Sequence, residues 1–308
     1  MKILISGAHG DIGISICRIL KKKYSYSTID GTDINLKGPG DYFFNKIIKV
    51  NKTVNNKFLK QIRFIYSKYD LIIPTTEVEM SFIAKNKKIF EKFPLLINSK
   101  KILDIFLDKY KTFEFLKKNK LNAPNFCIPL EKIKKFNRQF FLKKKLGHGN
   151  RNYKLIKSKK DFSKLKNLKK NEWIAQEFLG SNFNEYTCAI IKIGNFKDTI
   201  ILNRRLNGGY TYFSEVIKNK NIDSILFKIA EKINLNGCLN VQLKISKKRI
   251  VIFEINPRIS STVMMRHKMG FKDCLLWINY FLNKKTPKKR AKIRKTKMIK
   301  IFDEIFLK

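Results

Sequence analysis

Residues 250–263 read "IVIFEINPRISSTV". Side chains alternate faces along a strand. Val251, Phe253 and Ile255 therefore share one face, and Ile252, Glu254 and Asn256 share the other. A carboxylate and an amide oxygen point the same way, roughly 7 Å apart by strand rise. Hard cations such as Mg²⁺ prefer oxygen donors of this kind. A half-exposed strand with a polar outer face fits the stretch equally well. Pro257 ends the run, and Arg258 follows it.

The segment just before, "GCLNVQLKIS" (237–246), reads as the partner strand of a hairpin with "RIVIFEIN". A turn centred near Lys248 sets Gln242 opposite Glu254. Cross-strand neighbours on one face lie about 4.5–5.5 Å apart at Cβ. Gln242, Glu254 and Asn256 then converge, and three oxygen donors on a rigid ladder make a better metal cradle than two.

Two upstream stretches suit a nucleotide. In "AQEFLGSNFNEYT" (175–187) a strand ends in Gln176, Glu177, Phe178 and Leu179, and Glu185 follows after a glycine turn. Extended backbone at Phe178 and Leu179 can pair with the edge of an adenine, and a carboxylate one turn later can hold both ribose hydroxyls. In "LKKKLGHGNRN" (142–152), Gly147 and Gly149 free the backbone between two strands to close over phosphates. Taken separately, a surface acid and a surface hairpin explain these features as well.

The chain has 308 residues, 44% hydrophobic and 30% charged, as a globular protein with a real core requires. No apolar run is long enough to span a membrane, and the opening "MKILISGAHG" is too short for a secretory signal and reads as a first strand. Cysteines 17, 127, 188, 238 and 274 are scattered without a CxxC, which suits buried thiols of a cytoplasmic protein rather than disulfides or zinc ligands. The formal net charge of +43 invites a nucleic-acid reading. The lysines are spread along the whole chain with heavy use of Asn and Ile, so a compositional bias explains them better than a binding patch. The one dense basic run, "NKKTPKKRAKIRKTK" (283–297), reads as a solvated linker.

Strands alternate with helices through the first hundred residues, ending in "DLIIPTTEVE" (70–79), the helix "MSFIAKNKKIFEKF" and the strand "PLLINS". This predicts a parallel, Rossmann-like sheet over 1–97. From 98 the pattern becomes α+β: a long helical stretch to about 121, strands around the glycine loop, a short helix with Ser158 as N-cap, and antiparallel strands. A helix over 221–235, the hairpin, two more helices and a returning strand at the end complete it. We divide 98–308 into an N-terminal subdomain with the glycine loop (98–170) and a C-terminal subdomain with the metal site (171–308).

The turn "GAHGDIG" (7–13) sits between a strand and a helix, as a dinucleotide fingerprint does, with Asp30 and Asp33 near the end of the next strand. A nicotinamide-dependent dehydrogenase or epimerase of the short-chain type is therefore a rival. Tyr153-x-x-x-Lys157 imitates its catalytic pair, but lies in strand-like sequence with no Ser at the usual distance.

In order along the chain, "DKYKTFEFLKKNKLNAP", "FFLKKKLGHGN", "IAQEFLGSNFNEYT" and "LNVQLKISKKRIVIFEINPRISSTV" resemble the ATP-grasp superfamily, and look most like its carbamoyl-phosphate-synthase-like members. The resemblance covers about 98–282, with the first hundred residues similar to the pre-ATP-grasp domain. It implies an ATP- and Mg²⁺-dependent carboxylate–amine ligase acting through an acylphosphate, with Mn²⁺ as an alternative metal. Lys109 and Lys143 would contact ATP phosphates under the loop of Gly147 and Gly149. Gln176 to Leu179 would hold adenine, and Glu185 the ribose. Gln242, Glu254 and Asn256 would ligate the metal, while Arg258 and Lys143 would serve the transferred phosphoryl group. Arg204 or Arg205, beside "GGYT" (208–211), would meet the acceptor. After Lys143 the chain has Lys-Lys where the family usually shows Pro-Arg, so Lys145 would replace the Arg. The partners implied are small carboxylates and amines, with neither membrane nor nucleic acid; a homodimer is compatible with the sequence.

Overall fold

The computed structural model describes residues 1–127, 139–147, 153–158, 161, 172–180, 184–246 and 249–301. The first sheet is parallel, in the order β3 (Ile47–Lys49), β2 (Thr28–Asp33), β1 (Lys2–Ser6), β4 (Leu71–Ile73). Helix α1 (Asp11–Lys23) buries Ile16, Ile19 and Leu20 at helical spacing against it, with lysines in its last turn, where the helix dipole favours cations. Helices α2 (Lys57–Tyr66), α3 (Glu77–Lys85) and α4 (Lys87–Phe90) follow. The expected strand "PLLINS" pairs only through a single parallel bridge, Ile72 with Leu95, and β3 is a strand the sequence reading did not find.

The long helical stretch after 98 is two helices, α5 (Lys100–Phe106) and α6 (Lys109–Lys118). Asp108 breaks it: its extended backbone caps α6, and its carboxylate accepts from the N–H groups of Tyr110 at 2.8 Å and Lys111 at 3.2 Å.

Among the described residues, the second sheet is antiparallel in the order β5 (Phe126–Cys127), β8 (Trp173–Glu177), β6 (Phe140–Lys144), β7 (Tyr153–Ile156). Sequence placed Trp173–Glu177 in the later subdomain; its hydrogen bonds put it with the glycine-loop strands instead.

The third sheet runs β13 (Arg249–Asn256), β12 (Gly237–Ser246), β9 (Glu185–Ile193), β10 (Phe196–Asn207), β11 (Tyr210–Ile217), β14 (Lys297–Ile299). Here "GGYT" is not a bare turn: Gly208 and Gly209 adopt φ of +57° and +85°, and β11 begins directly after them. Helices α7 (Lys220–Lys232), α8 (Val263–Lys268) and α9 (Asp273–Asn283) complete the fold.

One apolar core joins the first and third sheets. Ile3 and Ile5 of β1 and Ile16 of α1 cluster with Ile191 of β9, Leu202 of β10 and Trp277 of α9. A second core lies on the other face of the third sheet, against α5, α6 and α7. The third sheet is therefore clamped on both sides, and the hairpin β12–β13 is a rigid platform. Cys17, Cys188, Cys238 and Cys274 are buried free thiols. No helix among the described residues is long and apolar enough to cross a membrane.

Candidate active site

The hairpin register is the expected one: Gln242 faces Glu254, and Asn240 faces Asn256. The register then slips between Gln242 and Leu243. This bulge corrects one expectation. Phe253 lines the cleft beside Glu254, and Ile252 rather than Val251 joins Ile255 in the core on the far face, because a bulged residue breaks the strict alternation.

The cleft is about 510 Å³ and lies between the second and third sheets, with Ile12 of α1 and Glu77 of α3 at one end. Lys109, Lys143, Lys144, Arg204, Lys244 and Arg258 line it, against the carboxylates of Glu77, Glu185 and Glu254. A surplus of buried and half-buried cations suits a polyanion.

Glu254 is the centre of the candidate metal site. Asn256 Nδ2 donates to its Oε1 at 2.9 Å, and Gln242 Nε2 at 3.5 Å. Among the described residues no three His, Cys, Asp or Glu side chains gather as metal ligands. The donor set is one carboxylate with two amides. Mg²⁺ ordinarily binds through one or two carboxylates, phosphates and water, so this set fits it once the amides turn their oxygens inward.

Behind that set lies a buried ionic cluster. Arg204 donates to Glu185 Oε1 from Nε at 3.0 Å and from Nη2 at 2.6 Å, and to Gln242 Oε1 at 2.8 Å. Lys244 approaches Glu185 at 3.5 Å and donates to the Gly180 carbonyl at 3.0 Å. Arg204 thus lies in the cleft wall, joined to the carboxylate expected to hold the ribose. Arg205, on the opposite strand face, is exposed with its guanidinium 5.1 Å from the Phe213 ring centre, and does not line the cleft.

Lys143 stands between Phe141 and Phe253, 5.3 and 5.8 Å from their ring centres. Burial pulls its ammonium down to about 8; nearby Glu254 opposes this, while Lys109 adds to it. Lys109 Nζ donates to the Gly147 carbonyl at 3.0 Å, so the first residue of the glycine loop is fixed over the cleft. Gly149 lies outside the described residues. It is Lys144, rather than Lys145, that lines the cleft.

On β8 and its extension, Gln176 and Leu179 line the cleft. Glu177 turns away and accepts from the Asn125 N–H at 3.0 Å, and Phe178 packs edge-on against Phe141 with ring centres 5.2 Å apart. Arg258 Nη2 donates to Glu77 Oε1 at 2.8 Å, tying this end of the cleft to the first sheet's helix α3.

Several cleft residues escaped the sequence reading. Asn240 and Lys244 were legible: Asn240, Gln242 and Lys244 alternate along β12, so all three share a face. Thr187, two residues after Glu185, donates to Asn240 Oδ1 at 2.8 Å. Glu77 carried no such signal, being 181 residues from its partner Arg258.

The N-terminal glycine turn is covered by the chain itself. Gly40 N–H donates to His9 Nδ1 at 3.1 Å, and a Cβ on Gly40 would meet the Ala8 carbonyl oxygen at 2.5 Å. Asp30 is buried and accepts from Tyr69 Oη at 2.6 Å; Asp33 accepts from the His9 and Asn35 N–H groups. Tyr153 is on strand β7, so Lys157 does not share a helical face with it.

A family model described as "ATP-grasp in the biosynthetic pathway with Ter operon" matches residues 169–303. An uncharacterized protein MG011 homolog of Mycoplasma pneumoniae is 27% identical over 227 residues, covering 70% of this chain and 73% of that one. Solved structures of similar fold include the N5-carboxyaminoimidazole synthetase of Staphylococcus aureus complexed with ADP, at a TM-score of 0.75 and 17% identity, covering 95% of this chain and 79% of that one. The biotin carboxylase domain of the Hydrogenobacter thermophilus 2-oxoglutarate carboxylase, with MgADP and bicarbonate, gives 0.71 and 14%, covering 95% and 72%. The L-amino acid ligase of Bacillus licheniformis gives 0.69 and 15%, covering 92% and 74%.

Proposed function

This chain has the ATP-grasp fold, and from that premise we propose that it is an ATP-dependent carbon–nitrogen ligase joining a small carboxylate to an amine. The observation that carries the reading is the convergence of Gln242, Glu254 and Asn256 on the wall of a cleft whose other walls bear Lys109, Lys143 and Arg258.

Lys109 and Lys143 would bind the nucleotide phosphates, Gln176 and Leu179 the adenine, and Glu185 the ribose hydroxyls. A divalent cation on the oxygens of Gln242, Glu254 and Asn256 would neutralise phosphate charge as it builds up. Arg258 is fixed by Glu77 and supplies a permanent charge to the γ-phosphoryl group. A substrate carboxylate oxygen attacks the γ-phosphorus and the bond to the β-phosphate oxygen breaks, giving ADP and an acylphosphate. An amine then attacks the acyl carbon, inorganic phosphate leaves, and the amine proton passes to solvent. Positioning and charge neutralisation suffice for such a transfer. The acceptor would lie near Ile12, Leu206 and Tyr210, which also line the cleft. Arg204 belongs to the nucleotide end in this reading, and the carbamoyl-phosphate-synthase-like subtype rests on the Gln–Glu–Asn set.

An ADP-release screen against pairs of small carboxylates and amines tests it. ADP formed only when both are present, with inorganic phosphate in equal amount, is the expected result. Release that ignores both would overturn the ligase reading, and so would stabilisation by NAD⁺ but not by ATP–Mg²⁺ in a thermal shift.

A further inference from the structure

The sequence predicts a solvated linker for the basic run at 283–297. In the structure it folds back over α8 and α9 as a strap. Arg294 N–H donates to the Met269 carbonyl at 2.9 Å, Ala291 N–H to Asp198 Oδ2 at 2.9 Å, and Val216 N–H to the Thr296 carbonyl at 3.1 Å. Gly270 makes the crossing possible. It adopts φ of +103°, and a Cβ there would meet the Lys292 carbonyl oxygen at 2.7 Å.

Between strap and helices lies a surface basin of about 450 Å³. Lys268, Lys272, Lys289, Lys292 and Arg294 line it, and no acidic side chain among the described residues does. None of these five cations forms an ion pair among the described residues. His267, also on the wall, keeps a buried Nδ1 without a hydrogen-bond partner. A general lysine excess does not by itself produce this. Lysines on a loose linker would spread apart, whereas the strap's backbone hydrogen bonds hold these cations around one basin. Held like charges repel until an anion enters, and a concave wall focuses their field.

We propose that this basin binds a small polyphosphate-type anion, at a site separate from the nucleotide cleft. Its size lies within the range of small-ligand pockets, roughly 300–1,000 Å³. The lysine ammoniums and the Arg294 guanidinium supply charge-assisted donors to phosphate oxygens. The site is independent of the ligase reading, since it uses no cleft residue.

The test is hydrogen exchange of the full chain at physiological salt, with and without inorganic tripolyphosphate. Because tripolyphosphate would also enter the cleft, the peptides read are those covering 264–276 and 286–296. Slower exchange there is expected. Lys289→Glu/Lys292→Glu should weaken the effect roughly tenfold in tripolyphosphate concentration. Lys60→Glu/Lys92→Glu, with the same change in net charge at another surface depression, should leave it in place. Unchanged basin exchange overturns the proposal, as does an equal loss in both variants, which would mean general charge attraction. Protection of the basin by a short single-stranded oligonucleotide but not by tripolyphosphate would overturn it as well.

Discussion

Two arginine–carboxylate pairs in this molecule have the same length and different fates. Arg266 and Asp273 meet at 2.6 Å with both side chains 1% exposed. Arg204 and Glu185 also meet at 2.6 Å, with side chains 9% and 7% exposed. The first pair is sealed in the core. Arg266 Nη1 donates to Ser260 Oγ and Thr262 Oγ1, each at 2.6 Å, and so pins the loop that follows Arg258. The second pair lines the cleft, and its members reach outward to Gln242 and Lys244. A sealed pair leaves its charges no alternative partner, whereas a cleft pair can exchange partners with a ligand. Burial and distance alone therefore do not identify a functional ion pair; access to a cavity does.

The largest effect is expected from breaking the sealed pair. Arg266→Met leaves the Asp273 carboxylate buried without its cation and should cost about 3–5 kcal/mol of stability. Urea denaturation measures this, and a loss under 1 kcal/mol would mean that Asp273 finds water or another donor.

Glu254→Gln probes the cleft side of the comparison, where the proposed function has charge serve chemistry rather than folding. Turnover should fall by about 10²–10³-fold, equivalent to about 2.7–4 kcal/mol in the barrier, with the denaturation midpoint unmoved. Near-normal ADP release at saturating Mg²⁺ would remove Glu254 from the metal site.

Arg204→Met should cost less stability than Arg266→Met, about 1–2 kcal/mol, because Glu185 keeps Lys244 and gains access to water. Its sharper signature is functional. Glu185, the expected ribose ligand, loses its bidentate partner, so the KM for ATP should rise about tenfold, or 1.4 kcal/mol. Equal stability losses in the two arginine variants would erase the distinction between the pairs.

The smallest effect concerns Lys143, whose ammonium burial holds at about 8. A lowered lysine is charged below that value and loses its proton as pH rises through it. The KM for ATP should therefore be lowest below pH 8 and rise several-fold by pH 9, while kcat changes less. Lys143→Arg, which stays charged, should flatten that alkaline limb. A limb that persists unchanged in the variant would assign it to another group.

The residues themselves determined much of this. Period-two alternation in "LNVQLKIS" and "IVIFEIN" fixes which donors share a strand face, and the hairpin between them leaves one register that sets Gln242 against Glu254. The strand–helix alternation of the first hundred residues likewise dictates a parallel sheet. The bulge at Phe253, the course of the strap over α8 and the contact of Glu77 with Arg258 were decided only in three dimensions. Each depends on which surfaces meet across long stretches of chain, and local periodicity carries no information about that. The glycine turn at 7–13 shows the same limit: its sequence suits a dinucleotide, but the neighbouring segment around Gly38 and Gly40 packs onto it. Arg204 and Arg205 make the point at its smallest scale. They are adjacent and chemically identical, and only the side of the third sheet that faces the cleft separates a site residue from a surface one.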